Sequence, residues 1–268
     1  EAVSVVPERL QYESVPYDRT CLDVTHLQLE REIDDEVSKL IAPPTAANAT
    51  DLTLLLGYPH WRVGSLPLTS RTRVFFPHGT TGQRTQITFH ERAQRKQFPG
   101  WVVHEHGYVY GLAEWYESNT IPVGACIKLE RADDPHDVVI DFMPRRMQRE
   151  WTRMIARNAQ GDLGFSMQKR PISCEYDELC LLDEPDRAVG DALWQQEQER
   201  ARSLDDLIRA VFLELAKLTP SVTVHAKTLY MAVNVVRRCS PGRVFSTLFR
   251  RPEFVTTGDG YWVFQGQL

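Results

Sequence analysis

Between Leu215 and Pro252 the chain has no Asp or Glu, while Lys217, Lys227, Arg237, Arg238, Arg243, Arg250 and Arg251 give it seven positive charges. Residues 201–268 hold nine basic and five acidic side chains, a balance of +4 in a protein whose net charge is −5, so residues 1–200 carry −9. A local excess of cations in an acidic protein is the footprint of a phosphate-binding surface. The chemistry it serves is Coulombic: each cation near a nucleic-acid backbone displaces a condensed counterion.

Bond-making chemistry finds less support. Metal-dependent nucleases of the common restriction type need Glu-x-Lys or Asp-x-Lys, so that carboxylates hold the metal and a lysine orients the water; neither tripeptide occurs. Gln94-Arg95-Lys96 imitates a rarer variant, but in a basic loop without a strand pattern. His225-Ala226-Lys227 has the first half of a phospholipase D-type site, yet Ala232 stands where an Asp belongs. His104-x-His106, with His78 and His90 on possible neighbouring strands, could supply imidazoles to a metal, but no carboxylate spacing completes the set. Gly-x-Ser-x-Gly, Gly-x-x-x-x-Gly-Lys, His-Glu-x-x-His and Gly-x-Gly-x-x-Gly are all missing. The expectation is a protein without catalytic residues, cofactor or metal.

Composition sets the frame for these residues. At 268 residues, with 42% hydrophobic and 10% aromatic side chains, the chain can bury more than one core and is not of the disordered class. Its five cysteines (Cys21, Cys126, Cys174, Cys180, Cys239) are scattered and odd in number. That favours reduced thiols over a disulfide framework or zinc site, and hence the cytoplasm. No run is long and apolar enough for a membrane span, so no membrane partner is expected.

The basic stretch needs elements to present it. Ser203-Leu204-Asp205-Asp206 reads as a cap with acids in the first turn, and Leu204, Leu207, Ile208, Val211, Phe212, Leu215 and Leu218 keep one apolar face of a helix. Thr219-Pro220 stops it, Val222 to Val224 suits a short strand, and Leu229, Ala232, Val233 and Val236 space a second helix reaching Arg237 and Arg238. Ser240-Pro241 opens a third, because the residue before proline leaves the helical region and proline suits the first helical position. Val244, Phe245 and Leu248 point it inward, leaving Arg243, Ser246, Thr247, Arg250 and Arg251 on the other side. Phe254-Val255-Thr256, Thr257 to Gly260 and Tyr261 to Phe264 form a hairpin.

This C-terminal quarter resembles the winged helix-turn-helix class, and within it the HARE-HTH family with the related domain of the bacterial RNA polymerase delta subunit. The likeness rests on the Leu204 to Leu218 helix, Val224-His225-Ala226-Lys227-Thr228-Leu229-Tyr230, and Phe254 to Trp262. It implies contact with double-stranded DNA or docking on transcription machinery such as RNA polymerase. Arg243, Ser246, Thr247 and Arg250 would then enter the major groove, Lys227, Arg237, Arg238 and Arg251 would hold phosphates, and Thr257 would lie in the wing tip.

Upstream, residues 1–26 contain Pro7 and Pro16 and predict an extended arm. Leu29, Ile33, Val37, Leu40 and Ile41 predict a helix whose outer face is acidic (Glu30, Glu32, Asp34, Asp35, Glu36), ended by Pro43-Pro44. Thr50-Asp51 could cap a short helix through Leu54 to Leu56. From Trp61 to Phe142 the texture is β-like, with strands expected at Thr72–Phe76, Gln83–His90, Trp101–Glu105, Tyr108–Leu112, Ala125–Arg131 and Val138–Phe142, a turn at His106-Gly107 and one helix, Ala113–Asn119. Met147, Trp151, Met154, Ile155 and Asn158 space a further helix flanked by Arg145, Arg146, Arg149, Arg153 and Arg157. Strands are expected near Gly164–Gln168 and Leu179–Leu182, then a helical connector from Asp186 to Arg202.

The helix before Ile121-Pro122-Val123-Gly124-Ala125-Cys126-Ile127-Lys128-Leu129 makes the β-rich middle similar to the DNA-binding pseudobarrel of plant B3 domains and certain restriction-enzyme effector domains. Ala125 departs from the acidic residue common after that glycine. The resemblance implies two further DNA-gripping arms, one with Arg71 and Arg73, the other with Arg84, Arg92, Arg95 and Lys96. The fold expected is α+β: an N-terminal arm and helices (1–60), a β-barrel-like domain (61–142), a connecting α/β segment (143–202) and a C-terminal winged helix (203–268). The function expected is DNA binding, as a transcription regulator or DNA-recognition factor. Docking on transcription proteins, or a diverged nuclease, are the alternatives.

Overall fold

The computed structural model describes residues 7–38, 48–79 and 84–266. Residues 7–23 are extended, apart from short 3-10 turns at Glu8–Leu10 and Arg19–Cys21. Helix α1 (Val24–Ile33) starts at Asp23, whose side chain accepts the His26 N–H, and ends at Asp34 in the left-handed region (φ 46°). That turn corrects the expected helix to Ile41 and its solvated acidic face. It swings Asp35 and Glu36 inward, and Glu30, Asp34, Asp35 and Glu36 are all buried. Leu40, Ile41 and Pro43-Pro44 lie outside the described residues.

Strand β1 (Asp51–Leu55) stands where a short helix was expected. Leu52 and Leu54 alternate inward along it, and it pairs with residues 126–130. Helix α2 (Tyr58–Val63) and strand β2 (Ser65–Pro67) follow. The expected strand Thr72–Phe76 is a 3-10 turn at Arg73–Phe75. The Thr72 hydroxyl decides this locally, accepting from the Thr69 N–H and donating to the Pro67 carbonyl at 2.8 Å each. Strands β3 (Arg84–Glu91), β4 (Lys96–Val103) and β5 (Tyr108–Tyr110), helix α3 (Ala113–Ser118), and strands β6 (Cys126–Arg131) and β7 (Asp137–Phe142) follow, close to expectation except that β4 begins at Lys96, expected in a loop, and not at Trp101. Gln83 is outside the described residues. Together they make a curled half-barrel of seven strands in the order β1-β6-β7-β3-β4-β5-β2. Phe89, Val102, Val109, Ile127, Leu129, Val138 and Ile140 fill it.

The arginine-rich segment is not a helix. Strand β8 (Pro144–Arg157) pairs antiparallel with β9 (Leu163–Cys174), from Arg157 opposite Leu163 to Pro144 opposite Cys174. The turn between them is set by Asn158, whose side-chain oxygen accepts the N–H groups of Gln160 and Asp162, and by Gly161 at φ 80°. Strand β10 (Leu182–Asp183) runs parallel to β8.

The C-terminal part follows its sequence pattern, except that the short strand is Val224–His225 and the second helix stops at Val233 without reaching Arg237 and Arg238. Helices α4 (Arg187–Arg200) and α5 (Leu204–Ala216), strand β11 (Val224–His225), helices α6 (Ala226–Val233) and α7 (Pro241–Arg250), and hairpin strands β12 (Phe254–Gly258) and β13 (Tyr261–Phe264) succeed one another. Ser203 and Ser240 cap α5 and α7, each accepting the N–H three residues on. β11 pairs with β13, so the hairpin folds back onto the helices. The chain is therefore an α+β protein. Its apolar packing crosses the expected segment boundaries: Leu22, Leu29, Ile33, Tyr58, Ile155 and Leu163 share one core with α5, α6 and α7. Among the described residues no helix is long and apolar enough to cross a membrane. All five cysteines are free.

Candidate nucleic-acid interface

Most cations of the C-terminal run face carboxylates of the same chain. In α7, Arg243 reaches Asp205 at 2.8 Å and the Thr247 hydroxyl donates to the same carboxylate at 2.9 Å. Ser246 turns its hydroxyl back to the Arg243 carbonyl, and both Ser246 and Thr247 are buried. Burial disfavours the charged Asp205, but the Thr247 hydrogen bond and Arg243 outweigh it and hold its carboxyl below the usual range.

The early turn of α7 is covered too. Tyr17 donates to Glu30 at 2.7 Å, Arg19 pairs with Glu30 at 3.1 Å, and a Cβ on Gly242 would fall 1.9 Å from Glu30 Oε1. The helix edge expected to enter a groove is thus packed under the N-terminal segment. The placement of Arg243, Ser246 and Thr247 on an open face is corrected accordingly.

Three expected phosphate ligands are likewise engaged. Lys227 lies buried between Glu32 at 2.9 Å and Asp177 at 2.5 Å. Arg238, its side chain 1% exposed, spans Asp35 and reaches Glu36 at 2.5 Å. Burial pushes the Asp35 carboxyl up to about 6, against Arg238. Glu36 is held well below the usual range by Arg238 and His60, which outweigh its burial. Arg237 binds Glu197 at 2.8 Å and the Arg202 carbonyl at 2.7 Å. Charge of this kind cannot be given to a phosphate without abandoning a buried carboxylate. Arg250 and Arg251 are about half exposed, 3.8 and 3.6 Å from Asp205, and Thr257 is exposed on the wing.

The two arms expected from the half-barrel do not form as grouped. Arg84 begins β3 opposite Val103, whereas Arg92, Arg95 and Lys96 lie at the other end of the β3–β4 hairpin, where Glu91 faces Lys96. Seven residues of strand put about 23 Å between them. Arg71 is half-buried, bonding the Arg31 carbonyl near Asp34. Arg73 is exposed beside His104, whose pKa falls through burial and through the charges of Arg73 and His78. Arg92 pairs with Glu130. His104 sits in the turn before Gly107 with Thr85 at 3.2 Å, while His106 faces solvent. Among the described residues no group of three or more His, Cys, Asp or Glu could hold a metal ion.

The surface whose arginines the sequence reading placed on a helix is the half of the β8–β9 ribbon nearest the half-barrel. Residues 144–151 and 167–174 carry Arg145, Arg146, Arg149, Lys169 and Arg170 against the single carboxylate Glu150. Arg145 is drawn to Glu150 at 3.4 Å and Arg170 to Asp183 at 2.9 Å. The side chains of Arg146 and Arg149 are exposed and make no hydrogen bond or ion pair among the described residues. Lys169 lies over the Trp151 ring, 5.2 Å from its centroid. Trp151 is 59% and Met147 67% exposed. Two extra residues between Pro144 and Gln148 bulge the strand here and throw Arg145 to Met147 outward. A turn signal was present in Asn158, Gly161 and Asp162, but the β-branched and aromatic side chains of the flanking runs are only Trp151, Thr152 and Ile155 on one side and Phe165 and Ile172 on the other.

No family model, curated protein or solved structure matches this chain.

Proposed function

We propose that this protein binds double-stranded DNA, and that its main grip is the open face of the β8–β9 ribbon, with Arg250, Arg251 and the wing residue Thr257 as a second contact. The observation that carries this reading is the contrast between two sets of cations. Lys227, Arg238 and Arg243 are neutralised inside the fold, whereas Arg146 and Arg149 are exposed and uncommitted on the half of the ribbon that carries five cations and one carboxylate. A two-stranded ribbon has the width the major groove admits, and exposed arginines supply the phosphate contacts that fix it there. The succession of helix, short strand, two helices and hairpin in residues 203–268 supports the winged-helix likeness, and with it a role as a transcription regulator or DNA-recognition factor.

A salt series tests the reading. The affinity of the whole chain for a labelled duplex should fall with log salt, at a slope of about −0.9 per phosphate contact. Arg146→Ala with Arg149→Ala should flatten that slope by about two contacts, and Arg243→Ala should leave it unchanged. Absence of binding at low salt, or a slope indifferent to Arg146 and Arg149, sinks the proposal. Docking on transcription machinery is the second reading, favoured by the exposure of Met147 and Trp151 on the same ribbon, since these residue types are enriched at protein interfaces.

A further inference from the structure

We infer that Trp151 is a stacking platform for an unpaired base, so that the ribbon prefers DNA containing a short single-stranded gap over intact duplex. This deepens the DNA-binding reading above and rests on it.

The register places the parts. Trp151 is directly opposite Lys169 and Arg149 is opposite Pro171. Opposed residues and those two apart share one face of a ribbon, so Trp151 has a cation across the strand pair and another two positions along its own strand. Met154, on the alternate face, is buried, while Trp151, Lys169, Arg149 and Pro171 are all exposed. Trp151 therefore adds nothing to the core. No other aromatic ring packs on it among the described residues, and Lys169 is the cation lying over it.

An exposed indole with a cation across the strand pair and another along its own strand offers what an unpaired nucleotide needs. The ring takes the base face, and Arg149 and Lys169 take the flanking phosphates. Intact duplex cannot use the ring in this way, because its base faces are covered by neighbouring bases and only edges show in the grooves. The charge of the patch, five cations against one carboxylate, suits the polyanion.

The test compares a labelled duplex with the same duplex carrying a three-nucleotide gap, at one ionic strength, using the full chain. The wild type should bind the gapped probe about tenfold more tightly, the scale of one base stacked on an aromatic ring. Trp151→Ala should abolish that preference while leaving affinity for intact duplex within about twofold, and Trp151→Phe should keep most of it. Because Trp151 is exposed, both variants should retain the wild-type circular dichroism and melting transition. Equal wild-type affinity for the two probes, or a preference that survives in Trp151→Ala, overturns the inference and leaves duplex binding standing. Equal loss on both probes in Trp151→Ala makes the ring a general contact and also overturns it. If the wild type binds neither probe, the DNA reading falls and this one with it.

Discussion

Arg238 lays its guanidinium across both oxygens of Asp35, at 2.6 and 2.8 Å, joining positions 203 residues apart in the chain. The same guanidinium reaches Glu36, which His60 approaches at 2.7 Å, while the other ring nitrogen of His60 meets Ser65 at 2.8 Å. One buried cation thereby ties the turn before α7 to the end of α1 and to the β2 edge of the half-barrel.

Removing that cation should be costly. Arg238→Ala leaves Asp35 and Glu36 buried without their counter-charge, and breaking a buried pair from one side costs about 3–5 kcal/mol. Urea unfolding would measure it. Adding Asp35→Ala to the variant should restore part of the loss, because it removes one stranded carboxylate.

Arg243→Ala separates the structural role of α7 from a DNA role. The Arg243 to Asp205 pair is mostly screened from water, so its loss should cost about 1–2 kcal/mol of stability. Affinity for duplex should stay within about twofold of wild type, whereas Arg149→Ala should weaken it without changing the melting temperature. A large and selective affinity loss in Arg243→Ala would return α7 to the role of groove reader.

Gly242→Ala should destabilise the protein by about 1–3 kcal/mol, the usual range for overpacking. The added methyl would meet Glu30 Oε1 at 1.9 Å and Tyr17 Oη at 2.2 Å, and relieving it displaces both side-chain ends and with them the Tyr17 to Glu30 hydrogen bond. Thermal unfolding of this variant beside Tyr17→Phe, which keeps the ring and removes the hydroxyl, would show whether the clash is the cause.

Acid should weaken the fold through His225. Its Nδ1 accepts the Lys227 N–H at 3.1 Å and so caps α6, a role that needs the neutral ring. Burial, helped by the charge of Lys227, lowers its pKa from 6.5 to about 4. A histidine with a depressed folded-state pKa contributes stability that is complete above about pH 6.5 and is lost as pH falls towards 4. The loss should approach about 2 kcal/mol. Asp35, raised to about 6, acts in the opposite sense over part of that interval, so the informative comparison is wild type against His225→Asn. Asparagine can cap without titrating. Denaturation midpoints at pH 7 and pH 4.5 should converge for the variant and diverge for the wild type.

Local sequence was sufficient wherever the deciding interactions lie within one or two turns of chain. The Leu204 to Leu215 stripe, the Ser203 and Ser240 caps and the hairpin at residues 254–264 were legible because their hydrogen bonds and apolar periods are short-range. Even β1 carried its alternation in Leu52, Leu54 and Leu56, though a capping pattern at Thr50-Asp51 masked it. For residues 144–157, Met147, Trp151, Met154 and Ile155 satisfy a helical period, and only pairing with residues 163–174 makes them a strand. The charges were the least legible. Composition alone placed a basic run beside an acidic helix, but whether a given arginine meets solvent or a carboxylate depends on which distant segment the fold brings to it. Tertiary packing spends Lys227, Arg238 and Arg243 on Glu32, Asp177, Asp35, Glu36 and Asp205, because burying any of these charges alone would cost more than the fold can sustain. It leaves Arg146 and Arg149 in water, where that constraint does not apply.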